Sequence, residues 1–104
     1  MAHHTHWTNS DLIEDMITRK YPGYTELHTF QTVMHGGEFY AVSLIQKDES
    51  RMAIFSQREC DGKYFSYKTK EIIDFADKTE GNRFFKKLNA TRKVSKRGII
   101  YYRY

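Results

Sequence analysis

The sequence has almost no cysteine. Cys60 is the only one among 104 residues, so the chain cannot form an internal disulfide or supply the several thiolates of a structural zinc site. Such sparing use of cysteine is typical of proteins from a reducing compartment. We therefore expect a cytoplasmic protein with no bound metal or cofactor.

Long apolar runs are also missing. No window approaches the roughly 18 apolar residues that cross a bilayer, and the N-terminal segment has no cationic start followed by an apolar stretch. We expect neither a membrane helix nor contact with a membrane. His3, His4 and His6 could ligate a transition metal, but we expect residues 1–7 to form a disordered terminus instead.

Linear signatures of catalysis are missing as well. The sequence contains no nucleophile elbow, phosphate-binding loop, metalloprotease helix or paired-cysteine motif. A general acid–base site needs no linear motif, so His28, His35 and Glu38 could still form a small nuclease with a tyrosine and a lysine. We expect a protein that is not an enzyme and keep this nuclease as the minor alternative.

Acidic residues are missing from the C-terminal fifth of the chain. Residues 83–104 carry eight Lys or Arg and no Asp or Glu, whereas residues 1–82 carry nine Lys or Arg and thirteen Asp or Glu. This asymmetry predicts that the basic end associates with a polyanion or with an acidic protein surface.

What the sequence does contain is enough apolar material for one folded domain. Hydrophobic residues make up 39% of the chain and aromatic residues 15%, and about 100 residues is an ordinary length for a single domain. Residues 1–104 are therefore predicted to form one domain, in which residues 83–104 are a basic C-terminal segment.

The first predicted element is a helix over about residues 9–20. Leu12, Ile13, Met16 and Ile17 recur at helical spacing. Thr8, three residues before Asp11, has the pattern of a capping box, and Pro22-Gly23 ends the helix.

The middle of the chain predicts short strands joined by tight turns. The runs are rich in β-branched and aromatic residues and are separated by glycine and acidic turn residues; they span 25–34, 39–46, 51–58 and 63–67. The run 39–46 is apolar on both faces, which predicts a central strand, whereas 25–34 has two mixed faces, which favours an edge.

The last part of the chain alternates between helix and strand signals. Residues 69–78 place Ile72, Ile73 and Phe75 as on one side of a helix. Residues 83–92 suit a short helix, although a strand is nearly as good, and Ile99–Tyr104 reads as a final strand after a turn at Ser95–Gly98.

These elements together predict an α+β fold. We expect a mainly antiparallel, twisted sheet of four to six strands, with the helices at about 9–20 and 69–78 packed on one face.

The chain from Tyr40 onward also resembles a known family. The order of three strands, a helix and a basic strand, with FSYKTKEIIDFADK at residues 65–78, is similar to the C-terminal double-wing domain of the T-even phage transcription activator MotA. The resemblance rests on the spacing of Tyr40, Phe65, Tyr67, Lys68 and Glu71, and the first 38 residues lie outside it. It implies a sheet that binds DNA through basic positions, and it suits a small phage-encoded protein that acts in the host cytoplasm.

The function predicted from these observations is non-enzymatic binding of RNA or DNA by a regulatory or accessory protein. Cationic side chains can neutralise phosphates while an exposed tyrosine stacks on unpaired bases. The predicted contact residues are Arg83, Lys86, Lys87, Arg92, Lys93, Lys96, Arg97, Tyr102 and Arg103. At least one of the tyrosines 101, 102 and 104 should face solvent if the tail is a strand.

Two other classes stay open. The basic end could bind an acidic protein surface, as in an inhibitor or a counter-defence or antitoxin-like factor that acts on a host protein. The aromatic C-terminal strand could also be a sheet edge that pairs two copies of the chain into a homodimer.

Overall fold

Strands make up about half of the chain in the computed structural model, which describes residues 7–104. The predicted histidine cluster and nearly all of the predicted disordered terminus lie outside the described residues. The elements in chain order are α1 (Asn9–Lys20), β1 (Thr25–His35), β2 (Glu38–Lys47), β3 (Ser50–Asp61), β4 (Tyr64–Phe75), α2 (Lys78–Asn89), β5 (Lys93–Val94) and β6 (Ile100–Arg103).

Within residues 7–104, six strands form one mixed sheet in the order β4-β3-β2-β1-β6-β5. All neighbours are antiparallel except β1 and β6, which pair in parallel through Val33 with Tyr102 and Met34 with Arg103. The expected α+β class and the mainly antiparallel sheet are confirmed. The central place of β2 is confirmed too, but the expected edge position of β1 is wrong because β6 returns along the end of β1.

A tight two-residue turn connects β1 to β2. The β1–β2 turn is made by Gly36 and Gly37, which both have positive φ (58° and 82°). This conformation suits a two-residue hairpin turn and costs glycine little. The short link explains why β1 and β2 pair along most of their length.

Helix α1 forms as the sequence predicts. The hydroxyl of Thr8 accepts a hydrogen bond from the backbone N–H of Asp11, and the Asp11 carboxylate accepts one from the N–H of Thr8. This reciprocal cap satisfies two backbone donors that the first turn leaves free. The apolar side of the helix is buried at Leu12, Ile13, Met16 and Ile17.

The predicted helix at 69–78 is wrong. Residues up to Phe75 continue strand β4, because β3 is long enough to pair with them: Ile73 lies opposite Ala53 and Phe75 opposite Arg51. The second helix begins instead at Lys78, where the Asp77 side chain caps the N–H of Glu80. Of the ambiguous segment 83–92, residues 83–89 are therefore helical.

The two helices pack on opposite faces of the sheet, which corrects the expectation that they share one face. Alternate residues of β2 and β3 point to different clusters. The α1 cluster contains Leu12, Ile13, Met16, Ile17, Ala41, Ile45, Ile54 and Tyr67. The α2 cluster contains Phe30, Val33, Val42, Ala53, Phe55 and Leu88, with Phe84, Phe85 and Tyr102 packed against it. The sheet thus has a core on each side.

Across residues 7–104, neither helix has the length and apolar character that crossing a bilayer requires.

Candidate functional site

Helix α2 presents three of the predicted contact residues to solvent. Phe84, Phe85 and Leu88 face the sheet, so the intervening positions of an amphipathic helix face outward. Arg83, Lys86 and Lys87 take these positions and are exposed. Lys86 and Lys87 also lie in the last turn, where positive charge is favourable beside the free carbonyls.

The hairpin of β5 and β6 presents the next group. Ser95 shapes its turn: the Ser95 hydroxyl accepts from the N–H groups of Arg97 and Ile99, and the N–H of Gly98 donates to the Ser95 carbonyl. The turn places Lys96 and Arg97 at the exposed tip. Arg92 and Lys93 are exposed at the base of the same hairpin.

Thr91 fixes the hairpin to the helix. Its hydroxyl donates to the carbonyl of Leu88 (2.6 Å) and accepts from the backbone N–H of Arg103 (2.9 Å). The end of α2 and strand β6 are therefore held together by one side chain. This link places the C-terminal end of α2, which carries Lys86 and Lys87, beside the hairpin.

The eight cations of residues 83–104 form what we call the basic surface: Arg83, Lys86, Lys87, Arg92, Lys93, Lys96, Arg97 and Arg103. All are exposed, and within residues 7–104 none of them lies in an ion pair with a carboxylate. The ion pairs of this part of the chain lie elsewhere, at Asp15–Arg19, Glu59–Lys70, Glu49–Lys78 and Glu71–His35. The charge of the basic surface is thus not neutralised locally.

Tyr102 does not supply the exposed ring that the sequence leads us to expect. Its ring packs edge-on against Phe30, with 4.7 Å between the centroids, as part of the α2 cluster. The exposed ring belongs to Tyr104, which is 52% exposed. Both rings contact the α2 cluster, and how far each is covered depends on how β6 pairs with β1, which leaves no signal in the sequence.

A cleft lies between α2 and β6, next to the basic surface. We call it the α2–β6 cleft; it has a volume of about 300 Å³ and is lined by Phe84, Lys87, Leu88, Thr91, Arg103 and Tyr104. The walls of the cleft are mostly apolar, and Lys87 and Arg103 of the basic surface are among its lining residues. Sequence reasoning missed this feature because its residues come from two elements whose packing could not be foreseen.

Of the residues of the alternative nuclease, His35 and Glu38 lie together with Tyr40 at the β1–β2 turn, whereas His28 lies apart from them. His28 and His35 lie at opposite ends of β1, about 20 Å apart for an extended chain. His28 packs against Phe30 and Phe85. Both ring nitrogens of His35 have neighbours: Nδ1 lies 3.1 Å from the backbone oxygen of Tyr104, and Nε2 lies 3.6 Å from the Glu71 carboxylate.

Glu38 is engaged in the same neighbourhood. It accepts from the Tyr40 hydroxyl at 3.3 Å and from the Gln57 amide at 3.4 Å. Burial and the nearby Glu38 carboxylate raise the pKa of Tyr40, so the phenol stays protonated and donates. In residues 7–104 there is also no group of three or more acidic, histidine or cysteine side chains placed to hold a metal ion.

Three aliphatic side chains are exposed on the hairpin beside the cations. Val94 is 56% exposed, Ile99 55% and Ile100 43%. Val94 and Ile100 lie directly opposite each other in the β5–β6 pair. An apolar pair next to positive charge is a feature that a protein partner could also use.

Comparison of the chain with protein-family models, with curated proteins and with solved structures finds no match.

Proposed function

We propose that the protein binds nucleic acid without catalysis, as a regulatory or accessory protein, and that the basic surface contacts the phosphates. The observation that carries the proposal is the set of eight exposed cations on α2 and on the adjoining β5–β6 hairpin, none of them ion-paired within residues 7–104. In line with the resemblance to the double-wing family, we place this role in a phage protein acting in the host cytoplasm.

Electrostatics favour a polyanion over plain solvation of these side chains. Like charges held close together repel one another, and a phosphate backbone relieves the repulsion while releasing its condensed counterions. The cations lie on two linked elements, so a strand can contact several of them at once. If half of them contact phosphates, the logarithm of the binding constant should fall with the logarithm of salt concentration with a slope of about −3 to −4.

The test is fluorescence anisotropy with labelled single-stranded RNA, single-stranded DNA and duplex DNA over a salt series. We compare the unchanged protein with a variant in which Lys86, Lys87, Arg92 and Lys93 are replaced by Gln. A matched control replaces four exposed lysines outside the basic surface: Lys20, Lys47, Lys63 and Lys68.

We expect binding that weakens steeply with salt, and a loss of at least tenfold in affinity with a shallower slope in the first variant only. Equal losses in both variants would mean that net charge, and not this surface, determines binding. Absence of binding at low salt would contradict the proposal.

A second candidate function is binding and inhibition of another protein, as in a counter-defence or antitoxin-like factor. The exposed Val94, Ile99 and Ile100 favour it, because they offer apolar area beside the cations. Such an interface should be far less sensitive to salt than phosphate binding. Pairing of two copies through a sheet edge would use β4 or the two-residue β5, since β6 lies inside the sheet.

A further inference from the structure

We propose that the α2–β6 cleft receives one unpaired nucleobase of a single strand whose phosphates lie on the basic surface. The inference rests on the proposed function and deepens it, since it assigns a strand type and a subsite. The size, the aromatic wall, the flanking cations and the occupied polar groups of the cleft each contribute to the argument.

The size of the cleft suits a single base. Its volume of about 300 Å³ is at the lower end of the range for small-molecule sites. The floor is formed by Phe84 and Leu88, which belong to the α2 cluster and its margin. A flat aromatic ligand can cover such a floor, whereas a peptide or a second base would extend beyond it.

Tyr104 provides a ring in a fixed position. Its backbone N–H donates to the carbonyl of Met34 at 2.9 Å, and its ring lies 5.4 Å from that of Phe55 and 5.5 Å from that of Phe84. About half of the side chain is nevertheless exposed. A ring that is ordered before binding loses little conformational entropy when a base stacks on it.

Two cations flank the cleft. Lys87 and Arg103 line it, both are exposed, and neither is ion-paired within the described part of the chain. They are placed to contact the phosphates on either side of an inserted base. In a duplex the bases are paired and stacked inside the helix, so a duplex offers this cleft nothing but phosphates.

The Thr91 hydroxyl and one backbone amide of the cleft are already occupied. The Thr91 hydroxyl donates to Leu88 and accepts from Arg103, and the backbone N–H of Arg103 is used in the same bond. With the Lys87 and Arg103 side chains on phosphates, few cleft groups besides the Tyr104 hydroxyl remain to read the edge of a base by hydrogen bonding. The cleft should accept purines and pyrimidines with little discrimination, as stacking sites do.

The experiment compares single-stranded DNA, duplex DNA and a fully abasic strand of equal length, with the unchanged protein and two variants. Tyr104→Leu keeps apolar volume but removes the ring. Phe39→Leu is the matched control, because Phe39 is an aromatic residue as exposed as Tyr104, 54% against 52%. It lies opposite Met34, just after the β1–β2 turn, and does not line the cleft.

We expect the unchanged protein to bind the single strand roughly tenfold more tightly than the abasic strand. Tyr104→Leu should remove this advantage and leave duplex binding unchanged, whereas Phe39→Leu should change neither. In the unchanged protein, the single strand and not the duplex should shift the ¹³C-methyl NMR signals of Leu88. This readout does not depend on any variant folding.

The possible failures are distinguishable. Equal affinity for the three ligands, together with unshifted Leu88 methyl signals, would overturn the base subsite and leave phosphate binding intact. Absence of binding to every ligand at low salt would overturn the proposed function and the subsite together.

Discussion

At the scale of single residues, two buried serines show how much one hydrogen bond decides. Ser43 and Ser56 are both fully buried in the sheet. The Ser43 hydroxyl lies 2.9 Å from that of Thr29, whereas within residues 7–104 the Ser56 hydroxyl has no hydrogen-bond partner. A buried hydroxyl without a partner loses its bonds to water and gains nothing in return.

The two serines should therefore respond to alanine in opposite directions. Ser56→Ala should raise the free energy of unfolding by about 1 kcal/mol, since it removes an unsatisfied group. Ser43→Ala should lower it by about 1 kcal/mol, since it breaks a bond with Thr29. Urea denaturation with unchanged m-values measures both; equal losses in the two variants would contradict this account of Ser56.

At the same scale, the contact residues were only partly predictable. The eight cations could be named from the sequence because a segment without acidic residues is recognised from the linear sequence alone. The exchange of Tyr102 for Tyr104 could not, because residues two apart take the same face of a strand and these two differ in how far the α2 cluster covers them. Tyr102 lies opposite the buried Val33, whereas Tyr104 follows the last residue of β6.

At the scale of elements, Arg51 holds helix α2 on the sheet. Its Nε donates to the Gln46 side chain at 2.8 Å, and one of its terminal nitrogens donates to the carbonyl of Lys78 at 3.4 Å and to the Asn82 side chain. Gly81 leaves the room for it: a Cβ there would lie 2.9 Å from Cδ of Arg51. The position of α2, and hence of the basic surface, depends on this contact.

The effect of Gly81→Ala should change sign with the residue at position 51. Alanine gains about 1 kcal/mol of helix propensity, but overpacking against an anchored Arg51 costs about 1–3 kcal/mol. We expect a net loss of about 1 kcal/mol with Arg51 present and a gain of similar size in an Arg51→Ala background. A thermodynamic double-mutant cycle measures the coupling; stabilisation in both backgrounds would show that Arg51 moves aside freely.

Also at this scale, local sequence signals predicted most elements, while the helix at 69–78, the edge position of β1 and the shared face of the helices were wrong. Alternation and turn residues predicted β1, β2 and β3, and the cap predicted α1, because these signals are short-range. Residues 69–75 fit a helical period through Ile72, Ile73 and Phe75. They form a strand instead because the first half of β3 needs an antiparallel partner on that side, which is a long-range effect. The N-cap of α2, Asp77 with Glu80 three residues later, was also a local signal, but it was overlooked because the incorrectly predicted helix extended to residue 78.

At the scale of the whole molecule, the fold is a slab with extents of 40 × 39 × 20 Å. Strand β4 forms one edge of the sheet and the β5–β6 hairpin lies at the other. All eight cations of the acid-free segment belong to α2 and the hairpin end, while three of the four ion pairs shown for residues 7–104 involve residues of β3, β4 or the turn before them. Positive charge is therefore concentrated on α2 and the hairpin, and it orients a polyanion toward them.

The central claim is that the basic surface is the nucleic-acid interface, and mapping of backbone amide signals by NMR tests it most directly. In ¹⁵N-labelled protein titrated with a single-stranded oligonucleotide, we predict that the largest shifts fall on α2 from Arg83 onward, on the hairpin and on Tyr104. Residues of α1 and of the β4 edge should be unaffected, and the shifts should reverse on addition of salt. Shifts centred on α1 or β4, or none at all in low salt, would contradict the account.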